Sequence, residues 1–191
     1  TSIEGILSCT LAYLFNVYDG TRAFSDIIRE AKARGYTEPD PRDDLSGTDV
    51  ARKLTILGRE MGLPLQLADI RVESLVPAGL ESGSIEEFLD RLPAHDAAMA
   101  TRVAEAAGRG TVLRYVGRLS SDGTATVGVV ACEPRHAFAN IALTDNVVRF
   151  ATSRYNNNPM IVQGPGAGPA VTAAGVFADL LRLAAYLGAR R

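Results

Sequence analysis

The hydrophobic period of this chain shortens at Thr111, and that change restricts the fold class more than any other feature. Before it, apolar residues recur at helical spacing; after it, short runs rich in β-branched residues alternate with turn residues. Val112 to Leu119 and Thr124 to Cys132 flank Ser120-Ser121-Asp122-Gly123, where Asp-Gly supplies the turn of a β-hairpin. Further strands are expected at Asn146 to Thr152 and Pro159 to Gln163. The expected architecture is α+β: a mixed, largely antiparallel sheet with helices packed on one face. With 191 residues, 47% of them apolar, the chain can bury the core of one domain.

The helical half begins at once. Ile3, Ile6, Leu7, Leu11, Leu14 and Phe15 form an apolar stripe, so a helix is expected from Thr1 onward. A second is expected from Ala23 to Arg34, closed by Gly35 in the C-terminal position that favours glycine. Ser46, Gly47 and Thr48 are start signals for a third, whose buried stripe is Val50, Leu54, Leu57 and Met61. A short strand near Ile70 to Leu75, helices at Ser84 to Leu92 and Ala94 to Gly108, and a last helix at Val171 to Gly188 complete the reading.

Between the second and third helices the chain carries five carboxylates in the twelve residues from Glu38 to Asp49 and then a lysine, Lys53. Pro39 and Pro41 bias their neighbours toward extended geometry, so Glu38, Asp40, Asp43 and Asp44 are held apart on a stiff loop. Asp49 and Lys53, four residues apart, share one helix face. As a surface ion pair they would contribute about 0.3–0.5 kcal/mol and carry no chemistry. A lysine steadied by a carboxylate beneath an acidic loop can equally be aimed at a carbonyl or hydroxyl oxygen for proton transfer. Glu38, Asp43 and Asp44 would then receive the ammonium of an amino-acid substrate. The loop lacks the Asp-x-Asp-x-Asp-Gly ladder and closing glutamate of a calcium site.

Gly164-Pro165-Gly166-Ala167-Gly168-Pro169 leads into a helix start, where glycines let a ligand approach backbone amides. By itself it reads equally as a turn ending a strand. Cys9 and Cys132 suit free thiols of a reducing compartment, and His95 and His136 are too few for a zinc site, so no metal is expected. A net charge of -2 without a basic stripe gives no support for nucleic-acid binding. Arg182, Arg190 and Arg191 are charges near a helix end. No apolar run reaches membrane-span length and no signal peptide opens the chain, so a cytoplasmic protein, or an organelle protein lacking its transit segment, is expected.

Taken together, Gly35 to Lys53, Gly5-Ile6-Leu7-Ser8-Cys9-Thr10-Leu11, Gly164 to Gly168 and Val171 to Leu181 closely resemble homoserine dehydrogenases, in that family's order and over nearly the whole chain. The resemblance implies that Lys53 is the proton donor and acceptor, with Asp49 as its partner. It implies that Glu38 binds substrate, with Tyr36, Thr37, Asp43 and Asp44 lining the pocket and Thr10 approaching it. Gly168 and Gly166 would lie against the nicotinamide of NADP or NAD. Cys9 departs from the family pattern, which has glycine there, and its side chain could crowd the pocket.

The resemblance further implies reversible reduction of L-aspartate 4-semialdehyde to L-homoserine, in threonine and methionine biosynthesis. Residues 1–168 would form the catalytic and dimerisation domain, and 169–191 a helix that packs on a nucleotide-binding domain. That N-terminal Rossmann domain is missing from this chain, since no strand, glycine-rich turn and helix followed by an acidic residue occurs in it. The implied assembly is a homodimer paired through its sheet face. The ending looks closest to the C-terminal part of a bifunctional aspartokinase/homoserine dehydrogenase, so a fused aspartokinase is a further implied partner. Two alternatives from other classes are a non-catalytic amino-acid-binding and dimerisation module and a purely structural subunit. Against the latter stands the cost of holding so many carboxylates together.

Overall fold

The computed structural model describes residues 1–188. Six strands form one sheet: β1 (Ser2–Ile6), β2 (Arg71–Val72), β3 (Val112–Ser120), β4 (Ala125–Cys132), β5 (Asp145–Ala151) and β6 (Met160–Pro165). Their order across the sheet is β2-β4-β3-β1-β5-β6, and every pairing is antiparallel except β2 with β4. The seven α-helices are α1 (Cys9–Val17), α2 (Phe24–Ala33), α3 (Pro41–Leu45), α4 (Thr48–Glu60), α5 (Ile85–Arg91), α6 (Asp96–Gly108) and α7 (Pro169–Tyr186). This is the expected α+β sheet-and-helix architecture.

The first element corrects the sequence reading. Residues 2–6 are not helical: they form the strand at the centre of the sheet, paired with β3 on one side and β5 on the other. Ile3, Ile6, Leu7 and Leu11 are buried as expected, but the stripe runs from a strand into a helix. The break lies at Ser8, whose hydroxyl accepts the Leu11 N–H at 3.2 Å and caps α1. A five-residue strand that includes Gly5 offers too short an alternation to outweigh helical spacing downstream.

Elsewhere the differences are small. The strand expected at Ile70 to Leu75 shrinks to two residues, after which Glu73 still donates its N–H to the Val127 carbonyl at 2.8 Å and takes the Val129 N–H on its carboxylate at 2.9 Å. The Asp-Gly hairpin joins β3 to β4 as read. Within the acidic stretch, Pro41 to Leu45 closes into the short helix α3 rather than remaining a loop. The last helix starts two residues earlier than expected and ends at Tyr186; Arg190 and Arg191 lie outside the described residues.

The main core packs α1, α2 and α4 on the sheet face that carries Tyr115, Leu119, Ala125 and Val127. A smaller cluster of Ile6, Val116, Cys132, Phe138, Ile141 and Val147 closes one end of the opposite face. Arg114 is buried beside it, and among the described residues its guanidinium meets no carboxylate: it donates to the carbonyls of Phe15, Leu113, Phe138 and Ala139 at 2.7–2.9 Å. The rest of that face is open, and there Glu4 pairs with Arg118 at 3.4 Å and Arg149 at 3.0 Å on the two neighbouring strands. No residue of α7 is buried: Val176, Phe177, Leu180, Leu181 and Leu183 are all more than half exposed.

Candidate active site

The site begins with helix ends. α2 stops at Gly35, whose φ of +72° turns the chain so that the Tyr36 N–H donates to the Ala31 carbonyl at 2.9 Å. Asp40 caps α3 by accepting the Arg42 N–H, and Pro41 occupies the first helical position, where a missing N–H costs nothing. Asp40 also takes the Arg42 guanidinium in a short ion pair at 2.6 Å, which holds its carboxyl below the usual aspartate range. This carboxylate is therefore structural, whereas Glu38, Asp43 and Asp44 remain on the other side of the turn.

α4 starts at Gly47, with φ +71° and so little room that an added Cβ would meet the Tyr115 hydroxyl at 2.0 Å. Tyr115 in turn donates to the Glu73 carbonyl at 2.6 Å, which locks the start of α4 to the sheet. From this fixed start the helix sets Asp49 and Lys53 on one face, and their ion pair measures 2.7 Å. The Lys53 ammonium also donates to the carbonyl of Leu7 at 2.7 Å, across the gap between β1 and α1. Two of its three N–H groups are so engaged and one is left to donate.

Asp44 is drawn inward. Thr10, buried at the first turn of α1, puts its hydroxyl 2.7 Å from Asp44 Oδ1 and 2.6 Å from the Tyr36 carbonyl. Asp44 Oδ2 accepts the Glu38 N–H at 2.8 Å. Burial pushes the Asp44 carboxyl above the ordinary aspartate value, opposed by the hydrogen bonds from Thr10 and Glu38 and reinforced by the charges of Glu38 and Asp43.

A cavity of about 420 Å³ opens between these elements, lined by Glu38, Asp43, Asp44, Ser46, Thr48, Asp49 and Arg52. Its volume suits a small amino acid, and its wall is strongly acidic with one arginine at the side. Of the residues expected at the site, Glu38, Asp43, Asp44 and Asp49 line this cavity, Lys53 and Thr10 join it only through Asp49 and Asp44, and two others are placed differently. Tyr36 contributes its backbone carbonyl, while its ring packs on Tyr13 with centroids 4.9 Å apart. Thr37 turns its hydroxyl to the Glu38 carbonyl at 2.8 Å and does not line the cavity.

The glycine loop meets the same site through Cys9. The Cys9 thiol lies 3.4 Å from Asn146 Oδ1, with the Gly166 backbone and the Lys53 charge acting on it. Burial raises the thiol pKa, and the two neighbours named oppose that rise. Gly166 lies against Asn146, whose side-chain amide would have to move to admit a Cβ there. Gly168, at φ +124°, opens α7 with free space around it. Arg52, Asn146 and the Leu7 carbonyl escape sequence reasoning. The first is one exposed charge in a helix, the second one polar residue at a strand end, and the third a backbone group that only tertiary structure brings near Lys53.

Known proteins resemble this chain in sequence and in fold. The family model described as homoserine dehydrogenase matches residues 1–181. A bifunctional aspartokinase/homoserine dehydrogenase 2 of Zea mays, named as chloroplastic, is 55% identical over 189 residues, covering 98% of this chain and 21% of its own length. The homoserine dehydrogenase of Schizosaccharomyces pombe is 47% identical over 189 residues, covering 95% of this chain and 50% of its own length. Among solved structures, a Candida auris protein of unknown function superposes with a TM-score of 0.90 at 44% identity, covering 96% of this chain and 53% of that one. A homoserine dehydrogenase from Thiobacillus denitrificans gives a TM-score of 0.72 at 27% identity, covering 94% and 38%. The chain therefore spans about a fifth of the bifunctional relatives and about half of the yeast enzyme. On the family match and these relatives, the chain belongs to the homoserine dehydrogenase family.

Proposed function

We propose that this chain is the catalytic portion of an enzyme that reversibly reduces L-aspartate 4-semialdehyde to L-homoserine with a nicotinamide cofactor, a step of threonine and methionine biosynthesis. The single observation that carries the reading is Lys53, anchored by the Leu7 carbonyl and by Asp49 with one N–H left over, where Asp49 itself lines an acidic cavity sized for an amino acid. Glu38, Asp43 and Asp44 hold the substrate ammonium. Lys53 gives its remaining proton to the aldehyde oxygen during reduction and takes it back during oxidation. Its charge also stabilises the alkoxide that develops on that oxygen, where preorganised charge lowers the barrier most.

The glycine loop fits a nicotinamide contact: Gly168 leaves space for a ligand at the start of α7, and Gly166 is held against Asn146 beside Cys9 and Lys53. When bound, the cofactor, NADP or NAD, supplies or accepts the hydride. Residues 1–168 are the catalytic and dimerisation unit in this reading. The exposed apolar residues of α7, within 169–191, cover a nucleotide-binding domain, and the open sheet face with Glu4, Arg118 and Arg149 pairs with a second subunit. The bifunctional relatives support a fused aspartokinase as a further partner. No described helix is long and apolar enough to cross a membrane. The chloroplastic names of the plant relatives leave a cytoplasmic location as a proposal, to be read by cell fractionation.

The test is homoserine-dependent reduction of NADP and of NAD by the full-length enzyme. Turnover with either cofactor is the expected result. Binding of homoserine without turnover would instead favour an amino-acid-binding and dimerisation module.

A further inference from the structure

We propose that Asp44 is a neutral carboxylic acid in the substrate-free pocket and that binding of the amino acid drives its proton out. The inference rests on the dehydrogenase reading of the pocket for its substrate and on hydrogen-bond counting for its proton. Thr10 has one hydroxyl proton, yet its oxygen lies 2.6 Å from the Tyr36 carbonyl and 2.7 Å from Asp44 Oδ1. Both of those oxygens are acceptors when Asp44 is ionised, and one proton cannot satisfy both at such distances. The Tyr36 carbonyl has no proton to offer. The consistent assignment is a chain in which Asp44 Oδ1–H donates to Thr10 and Thr10 donates to Tyr36. Asp44 Oδ2 stays an acceptor for the Glu38 N–H at 2.8 Å, as the carbonyl oxygen of a neutral acid would.

The surroundings agree. Thr10 is only 5% exposed, so its hydroxyl is shielded from water, while Asp44 is half-buried on the cavity wall. The carboxylates of Glu38, from the preceding loop, and of Asp43, from the same short helix, both act against a charge on Asp44. Asp49 and Arg52 of α4 line the same cavity. Burial favours the neutral form in its own right. An ammonium entering the cavity reverses the balance: the Asp44 O–H bond breaks, the proton passes to solvent, and the carboxylate is left to accept from the ammonium. Thr10 can then turn its proton either way, which makes it the positioning residue that reports the charge of Asp44 to the Tyr36 backbone.

Infrared difference spectroscopy and calorimetry on the full-length enzyme test this. At pH 6 an ordinary aspartate, with a pKa of about 3.9, holds under about 1% of a proton. We expect a carboxylic-acid C=O band at that pH in the ligand-free wild type, absent from Asp44→Asn, whose amide can donate to Thr10 and accept from Glu38 without a proton to lose. Absence of that band from the wild type, or its survival in Asp44→Asn, overturns the assignment. This arm uses no homoserine, so it stands even if the dehydrogenase reading fails. Titrating homoserine at pH 6 in buffers of different ionisation enthalpy should show up to one proton released by the wild type and a smaller release by Asp44→Asn. Equal release by the two overturns the coupling.

Discussion

At the residue scale the site separates carboxylates by what they touch. Asp40 caps a helix and grips Arg42, Asp49 steadies Lys53, Asp44 is turned in to Thr10, and Glu38 and Asp43 face the cavity. Glu38→Gln removes one charge from the ammonium side while leaving the Lys53 anchors intact. Its expected effect is a rise in the homoserine KM of about tenfold with kcat within a fewfold, about 1.4 kcal/mol of lost binding. An unchanged KM would take Glu38 out of the pocket. Gly166→Ala places a methyl group against the Asn146 amide, so either that side chain or the loop must move. The cofactor KM should rise in that variant while homoserine binding, measured by calorimetry, stays as it was. The pairing of Asp49 with Lys53 was legible in the sequence because helical spacing alone puts them together. The Leu7 carbonyl and Asn146 were not, because both come from residues distant in sequence.

At the element scale, two short devices hold the site. Gly47 starts α4 in the left-handed region against Tyr115, and Gly47→Ala combines an unfavourable φ with a clash. The expected cost is about 2–4 kcal/mol of stability, read by denaturant unfolding, and a loss within 0.5 kcal/mol would contradict the tight contact. Asp40 caps α3, and its carboxyl is held below the ordinary value near 3.8 by the Arg42 hydrogen bond. A depressed carboxyl pKa stabilises the fold above the unfolded value and loses that contribution as pH falls through the folded one. Asp40→Ala should therefore cost about 1 kcal/mol at pH 7, and the gap to wild type should narrow below about pH 4. A gap that stays constant to pH 2 would remove the pairing. The boundaries of α2, α4, α5 and α6 were readable from caps and glycines; α3 was not, because five residues behind two prolines give no helical period to read. β1 was not, because a five-residue strand flowing into a capped helix keeps an apolar spacing that a single helix would also have.

At the scale of the molecule, one sheet face packs helices and the other stays largely open, with Glu4 between Arg118 and Arg149 at its centre. An open face and an exposed apolar helix are both surfaces that call for a partner. Light scattering of the full-length enzyme at micromolar concentration should give a dimer or a multiple of one, and a clean monomer would count against pairing through this face. The α+β class was legible from the change of period at Thr111, and the family from motifs spread along the chain. Sheet order was not, since nothing local tells β1 to insert between β3 and β5.

The central claim is that Lys53 moves the proton, and it is tested most directly by comparing Lys53→Ala with wild type in the full-length enzyme, measuring kcat for homoserine oxidation and the homoserine Kd side by side. A kcat lowered by about 10²–10⁴-fold with a Kd within a fewfold is the predicted result. A variant that turns over like wild type, or one that loses only homoserine affinity, would contradict it.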